Sequence, residues 1–139
     1  MKGLRKAGIQ STFVSLSNTS APSYINDLGD EARGVMVSQV FPFSDSTVIA
    51  VAKEFGQLAD AAMLPKNYSA MEGFIAAKIM VEAIKRAGKD LTREGLVSAL
   101  ESFTQLDLGG FVISFGAKDQ TGNEFVELSI VSKQGKFIR

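Results

Sequence analysis

The chain has no cysteine, no histidine and no tryptophan. Without thiols or imidazoles, zinc fingers, iron–sulfur centres, haem ligation by His and Cys- or Ser–His catalysis are excluded within it. A disulfide is excluded too, so cysteine usage says nothing of the compartment. The usual proton switch near neutral pH is missing with the histidines. Charge of either sign is not in excess: 15 basic and 15 acidic side chains cancel. A phosphate-backbone binder needs a basic face, so no nucleic-acid partner is expected. Long apolar runs are also lacking. The stretches at Val48–Ala52 and Gly73–Ala77 fall far short of the roughly 20 residues that span a bilayer. Lys2-Gly3-Leu4-Arg5-Lys6 is basic, but no apolar run of roughly 7–15 residues follows, as a signal peptide requires. Taken as complete, the chain would therefore be cytoplasmic.

What is present is 139 residues, 45% apolar, enough for one ordinary domain with a real core. Leu4-Arg5-Lys6-Ala7-Gly8 reads as the tail of a helix closed by a left-handed glycine. A natural domain rarely opens that way, so a piece of a longer protein is expected. Thr12–Leu16 alternates as a short strand does. Ser17–Pro22 is a run of turn and cap residues opening a short helix that ends near Gly29. Gly34–Phe41 is a second strand, apolar enough to be covered on both faces, and Pro42 stops it.

Helices fill the centre. Val48, Ala52, Phe55, Ala59 and Ala62 fall at helical spacing between Ser46 and Met63. Ser69-Ala70-Met71-Glu72 has the form of a capping box, opening a helix to Ala87 with Gly88 beyond it. Glu82 and Arg86 are spaced for an i, i+4 pair. Thr92 opens a third helix, with Leu96, Val97, Leu100 and Phe103 expected inward. The end reads as β: a strand at Gly109–Phe115, turn chemistry at Asp119–Asn123, and a strand at Glu124–Ser132. That last strand sets Val126, Leu128 and Ile130 against Phe125, Glu127 and Ser129, and Gln134-Gly135 turns into Lys136-Phe137-Ile138. The order β-α-β, three helices, C-terminal β-hairpin is α/β.

The series Leu4-Arg5-Lys6-Ala7-Gly8-Ile9, Phe13-Val14-Ser15, Gly34-Val35-Met36-Val37, Glu72-Gly73-Phe74-Ile75-Ala76-Ala77, Glu82-Ala83-Ile84, Arg86-Ala87-Gly88, Leu108-Gly109-Gly110, Val126-Glu127-Leu128 and Gly135-Lys136-Phe137 carries a resemblance. In that order the chain resembles the C-terminal part of the branched-chain amino acid (leucine/isoleucine/valine-binding) type periplasmic binding proteins, the receptors of ABC transporters. The resemblance covers nearly all of it. It implies an incomplete type I periplasmic-binding-protein fold, part of a two-lobed Venus flytrap, completed by association with another chain. Residues 1–40 and 108–139 would belong to the second lobe, and the helices within 44–104 would pack on the first. It further implies a small-molecule ligand, a permease partner for the full-length parent, a periplasmic setting and no enzymatic activity. With the first lobe's sheet absent, the apolar faces of the Ser46–Met63 and Ser69–Ala87 helices would lie bare, so the fragment is expected either to repack or to associate with another copy as a homo-oligomer.

Ligands of open α/β sheets bind at the C-terminal ends of strands. Ser15, Ser17, Asn18 and Thr19 occupy the loop after the first strand. Amino-acid-binding relatives carry an acidic residue there for the ligand's ammonium; this loop has none, which favours a neutral or anionic ligand. The competing reading is a turn that caps the next helix. Gln39 and Phe41, with Phe43, lie near the implied crossover and either line the cleft or pack it. Tyr68 could donate to a ligand or only pack its ring. Glu72 is explained as a cap, and Asp119, Gly122 and Asn123 lack the spacing of a calcium loop. No metal site is expected, and no glycine run fits a phosphate-binding pattern, so no cofactor is implied. The reading is a small-molecule (amino-acid-like or small organic acid) binding component, weak or inactive alone. The alternatives are a truncated self-associating protein and a ligand-sensing domain of a signalling receptor.

Overall fold

A computed structural model describes residues 1–89 and 91–139. Helix α1 (Lys2–Lys6) ends where Gly8 takes φ 81°. Gly8 and Ile9 then donate their N–H groups to Arg5 and Leu4 at 2.9 and 3.1 Å, closing the last turn. Strand β1 (Val14–Leu16) runs into a single 3₁₀ turn, Ser17–Thr19, and then into α2 (Pro22–Leu28), with proline in the first turn where no N–H is needed. A second 3₁₀ turn, Gly29–Ala32, leads to β2 (Met36–Gln39). The two strands pair in parallel, Val14 opposite Met36 and Leu16 opposite Ser38.

Helix α3 (Ala50–Ala61) starts later than the spacing predicts, because Ser46 reaches the Val48 and Ile49 amides only at 3.4 Å. Helix α4 (Tyr68–Ala87) is capped by Asn67, whose Oδ1 accepts from Ala70 N–H at 2.9 Å, so the expected Ser69–Glu72 box is not made. Helix α5 (Arg93–Glu101) is capped by Thr92, which accepts from Gly95 N–H at 3.0 Å. Phe103 is buried after it, but Val97 is exposed, contrary to expectation. Arg86 does not pair with Glu82 either. It donates to the Ser102 carbonyl and hydroxyl at 3.0 and 2.9 Å and lies 4.4 Å over the Phe103 ring, while Lys85 takes Glu82 at 3.3 Å.

Three short strands follow: β3 (Leu106–Asp107), β4 (Val112–Gly116) and β5 (Asp119–Gly122), forming a sheet in that order. Leu108-Gly109-Gly110 is a turn rather than the start of a strand. Asp107 Oδ1 accepts from both glycine amides at 2.8 and 2.7 Å, and the Gly109 carbonyl accepts from Val51 N–H at 2.9 Å. The expected turn at Asp119–Asn123 is β5 itself. The last strands, β6 (Glu127–Val131) and β7 (Phe137–Ile138), join a four-stranded sheet of order β1-β2-β6-β7, in which β6 runs antiparallel to β2 and β7 antiparallel to β6. The segments around β4 and β6 therefore lie in different sheets and do not pair with each other; the closing hairpin is β6–β7, turned at Gly135 with φ 71°.

Two separate cores result. One joins Val51, Phe55 and Ala59 of α3, Met71 and Ile75 of α4, and Leu108, Phe111 and Ile113. The other joins Ile25 and Ala32 to Val35, Val37 and Val131 on one face of the four-stranded sheet. Residues 106–122 thus pack with the helices, not with the last strands as expected from 108 onward. The inner faces of α3 and α4 are covered within the chain, which corrects the expectation that both lie bare. Leu58 of α3 and the part of α4 around Met80, Val81 and Ile84 stay exposed.

Candidate functional site

Because β1 and β2 are parallel and in register, their C-terminal ends lie side by side. The Ser17–Thr19 turn stands on that ledge against β2. Thr19 Oγ1 sits 2.8 Å from both Ser15 Oγ and the Leu16 carbonyl, and Ser20 Oγ donates to the Ser17 carbonyl at 2.6 Å. These bonds use the hydroxyls of Ser15, Thr19 and Ser20 to hold the turn. Among the described residues, the Ser17 hydroxyl and the exposed Asn18 side-chain amide have no partner, and both remain able to meet a ligand.

Gln39 is placed differently. It is 1% exposed, on the covered face of the sheet, and its Nε2 donates to Ser129 Oγ at 2.9 Å. Ser129 Oγ in turn lies 3.3 Å from the Val37 carbonyl, so the pair satisfies itself across β2 and β6. Phe41 packs on Phe111, ring centroids 5.9 Å apart, at the edge of the helical core.

Tyr68, the first residue of α4, crosses from the helical core to the sheet. Its ring lies 6.0 Å from Phe43 and 5.5 Å from Phe137, and its Oη donates to Glu127 Oε1 at 3.1 Å. The other oxygen of Glu127 pairs with Arg139 at 2.7 Å, and the Arg139 guanidinium lies 5.7 Å over Phe43. Burial, then the Glu127 charge and the hydrogen bond to it, hold the Tyr68 phenol well above its ordinary value near 10. Tyr68 is therefore a neutral donor at physiological pH.

A cavity of about 340 Å³ opens between the sheet's core and the start of α4, lined by Ser20, Ile25, Phe43, Asp45, Lys66, Tyr68 and Phe137 among others. Pockets of this size favour junctions between packing units. Lys66 at its rim bridges Asp60 at 3.0 Å and Asp45 at 3.6 Å; its pKa is raised above the ordinary value by these two carboxylates, chiefly by the hydrogen bond to Asp60. The structure thus brings Tyr68 to one cavity with Ser20, the residue directly after the Ser17–Thr19 turn. It keeps Ser15, Ser17, Asn18, Thr19, Gln39 and Phe41 out of that lining. Sequence reasoning missed Glu127, Arg139 and Lys66. The available signal was Glu127, the one carboxylate within an otherwise uncharged strand.

Residues 1–136 match the family described as periplasmic binding protein. The chain belongs to that family. Its members are binding proteins rather than enzymes. Among solved structures, a possible leucine/isoleucine/valine-binding protein from Rhodopirellula baltica superposes with a TM-score of 0.86 at 25% identity, over 99% of this chain and 38% of that one. A substrate-binding periplasmic protein from Ralstonia solanacearum superposes at 0.83 with 30% identity, over 99% and 40%. A branched chain amino acid ABC transporter protein from Thermus thermophilus with bound valine shares the fold at 0.71 and 21% identity, over 99% and 40%. No curated protein matches the chain. The α/β architecture is part of the type I periplasmic-binding-protein fold, and the chain spans about two fifths of the length of these solved relatives. Among the described residues, no helix is long and apolar enough to cross a membrane.

Proposed function

We propose that this periplasmic-binding-protein chain supplies one wall of the small-molecule site of an ABC-transporter receptor, working in the periplasm with a membrane permease. Ser17 and Asn18 meet the ligand directly, Ser15 and Thr19 hold their turn in place, and Tyr68 closes the junction beside it. Gln39 and Phe41 act as supports rather than contacts. The observation that carries the reading is the uncommitted Ser17 hydroxyl and Asn18 amide at the C-terminal ends of two parallel strands, with Ser20, directly after their turn, lining a cavity. The turn holds no carboxylate, and Glu127 is already engaged by Tyr68 and Arg139. Within the turn a ligand ammonium has no anionic partner, and the cavity's own carboxylate, Asp45, lies 3.6 Å from Lys66, whereas a ligand carboxylate or carbonyl can accept from the amide and hydroxyl. A small organic acid or a neutral amino-acid-like molecule fits best. One wall encloses only part of such a ligand, so affinity alone is weak, about 1 mM or poorer.

Proton–nitrogen NMR titration with isocaproate, the carboxylate that leucine becomes without its amino group, tests this. The Asn18 side-chain amide and the backbone amides of residues 17–20 are expected to shift together with one millimolar-range constant, and Asn18→Ala to abolish the shifts at Ser17. Shifts confined to other surfaces, or none at saturating isocaproate, contradict the proposal.

A further inference from the structure

The two cores share no buried residue. The chain joins them twice, at 40–49 and 123–126, and neither segment is helix or strand. Phe41 and Phe125 from these connectors pack on the helical core. Among the described residues, no backbone hydrogen bond runs from α3–α5 or β3–β5 to the four-stranded sheet. One side-chain hydrogen bond does, from Tyr68 Oη of α4 to Glu127 Oε1 of β6 at 3.1 Å. One ring contact accompanies it: Tyr68 meets Phe137 of β7 edge to face, centroids 5.5 Å apart. Packing units that meet over so small an area move relative to each other unless a specific contact ties them.

Tyr68 is 4% exposed, so its hydroxyl has little room to swing away. Glu127 is held from its other side. Its second oxygen takes Arg139 at 2.7 Å, and its side chain is 12% exposed. The Arg139 guanidinium reaches on to the Phe43 ring of the first connector, 5.7 Å away, and Phe43 packs on Tyr68 at 6.0 Å. The contacts thus close a loop through α4, β6, the residue after β7 and the connector. Hydrogen bonds to an ionised acceptor are roughly twice as strong as neutral ones. We propose that Tyr68, Glu127 and Arg139 form a clasp that fixes the angle between the helical core and the four-stranded sheet. The sheet carries the Ser17–Thr19 turn, so the clasp sets where that turn stands relative to α4. Every member belongs to this chain, so the clasp does not depend on what covers the outer faces. It also stands whichever ligand the turn meets.

Residual dipolar couplings of the backbone amides, in a weakly aligned sample of the full chain, read that angle. In the wild type, the amides of α3–α5 and those of β1, β2 and β6 are expected to fit one alignment tensor. Glu127→Gln and Tyr68→Phe each weaken the bond, and each is expected to lose the common tensor, so that the two sets need tensors of different size or direction. Arg139→Gln, which frees the Glu127 carboxylate, should do the same, while Arg139→Lys should keep the single fit. Glu54→Gln breaks the Lys78 pair between α3 and α4, inside one core, and should leave the fit single. Amide chemical shifts within each core check that both stay folded, which separates a released clasp from a loss of stability. Two tensors in the wild type overturn the proposal, and so does a single unchanged tensor in both Glu127→Gln and Tyr68→Phe.

Discussion

Replacing Tyr68 with Phe removes one oxygen from the place where the start of α4 meets the four-stranded sheet. The ring stays between Phe43 and Phe137, since Phe fills the same volume. What is lost is the 3.1 Å hydrogen bond from Oη to the Glu127 carboxylate. Hydrogen bonds to charged groups contribute about 1.5–3 kcal/mol. The lower end applies here for two reasons: Glu127 keeps its 2.7 Å pair with Arg139, and the variant no longer desolvates a phenol. Tyr68→Phe is thus expected to destabilise the chain by about 1.5 kcal/mol. In a chain of this size that lowers Tm by about 5 °C. Tyr68→Ala, which deletes the ring as well, should cost about 3–5 kcal/mol. Thermal melts and urea unfolding followed by circular dichroism measure both, and the urea slope should be unchanged for Tyr68→Phe. In a Glu127→Gln background the Tyr68→Phe cost should shrink, because the acceptor has lost its charge. Tyr68→Phe within experimental error of wild type would refute the reasoning.

Other outcomes follow from particular contacts. The Tyr68 phenol titrates above 10 when folded and near 10 when unfolded, so its stabilising contribution is complete below about pH 10 and is lost as pH rises through the folded value; in a Tyr24→Phe background, tyrosinate absorbance should appear only as the chain unfolds. Gly109→Ala should cost about 2–4 kcal/mol, because the site has φ 103° and a Cβ there would stand 3.0 Å from Val51 N; urea midpoints measure it. Asn67→Ala should cost about 1 kcal/mol by removing the α4 cap, while Ser69→Ala should stay within about 0.5 kcal/mol; the reverse order would place the cap at Ser69 after all.

Local chemistry made much of the fold legible. Gly8, Gly88 and Thr92 end or open helices where their backbone freedom or side-chain oxygen is needed. The parallel β1–β2 unit followed from two apolar runs around a Pro-led helix. Where two residues could do the same work, tertiary contacts decided. Asn67 and Ser69 both suit a cap, and the buried ring of Tyr68 between Phe43 and Phe137 places the helix start just after Asn67. Strand β5 has no apolar alternation to reveal it. It is defined by its ladder to β4, with Gly122 seated under Phe115, where a Cβ would lie 3.0 Å from the ring. In β6 the alternation was visible, but which face is covered was not: Ser129 is buried and Leu128 exposed, because α2 lies on the Ser129 side. The Ser17–Thr19 turn could be located from the sequence alone. Glu127 lies 59 residues from its partner Tyr68 in the chain, and the β2–β6 register sets it opposite Gln39.

The central claim is that the hydroxyl and amide groups of the Ser17–Thr19 turn, which holds no carboxylate, meet the ligand. Comparing L-leucine with isocaproate, which differ by the ammonium alone, tests it most directly, with the Asn18 side-chain amide as the NMR reporter. The account requires isocaproate to bind more tightly than L-leucine, whose ammonium finds no partner at Ser17–Thr19. Micromolar binding of L-leucine by the chain, or a constant tighter than that of isocaproate, would contradict it.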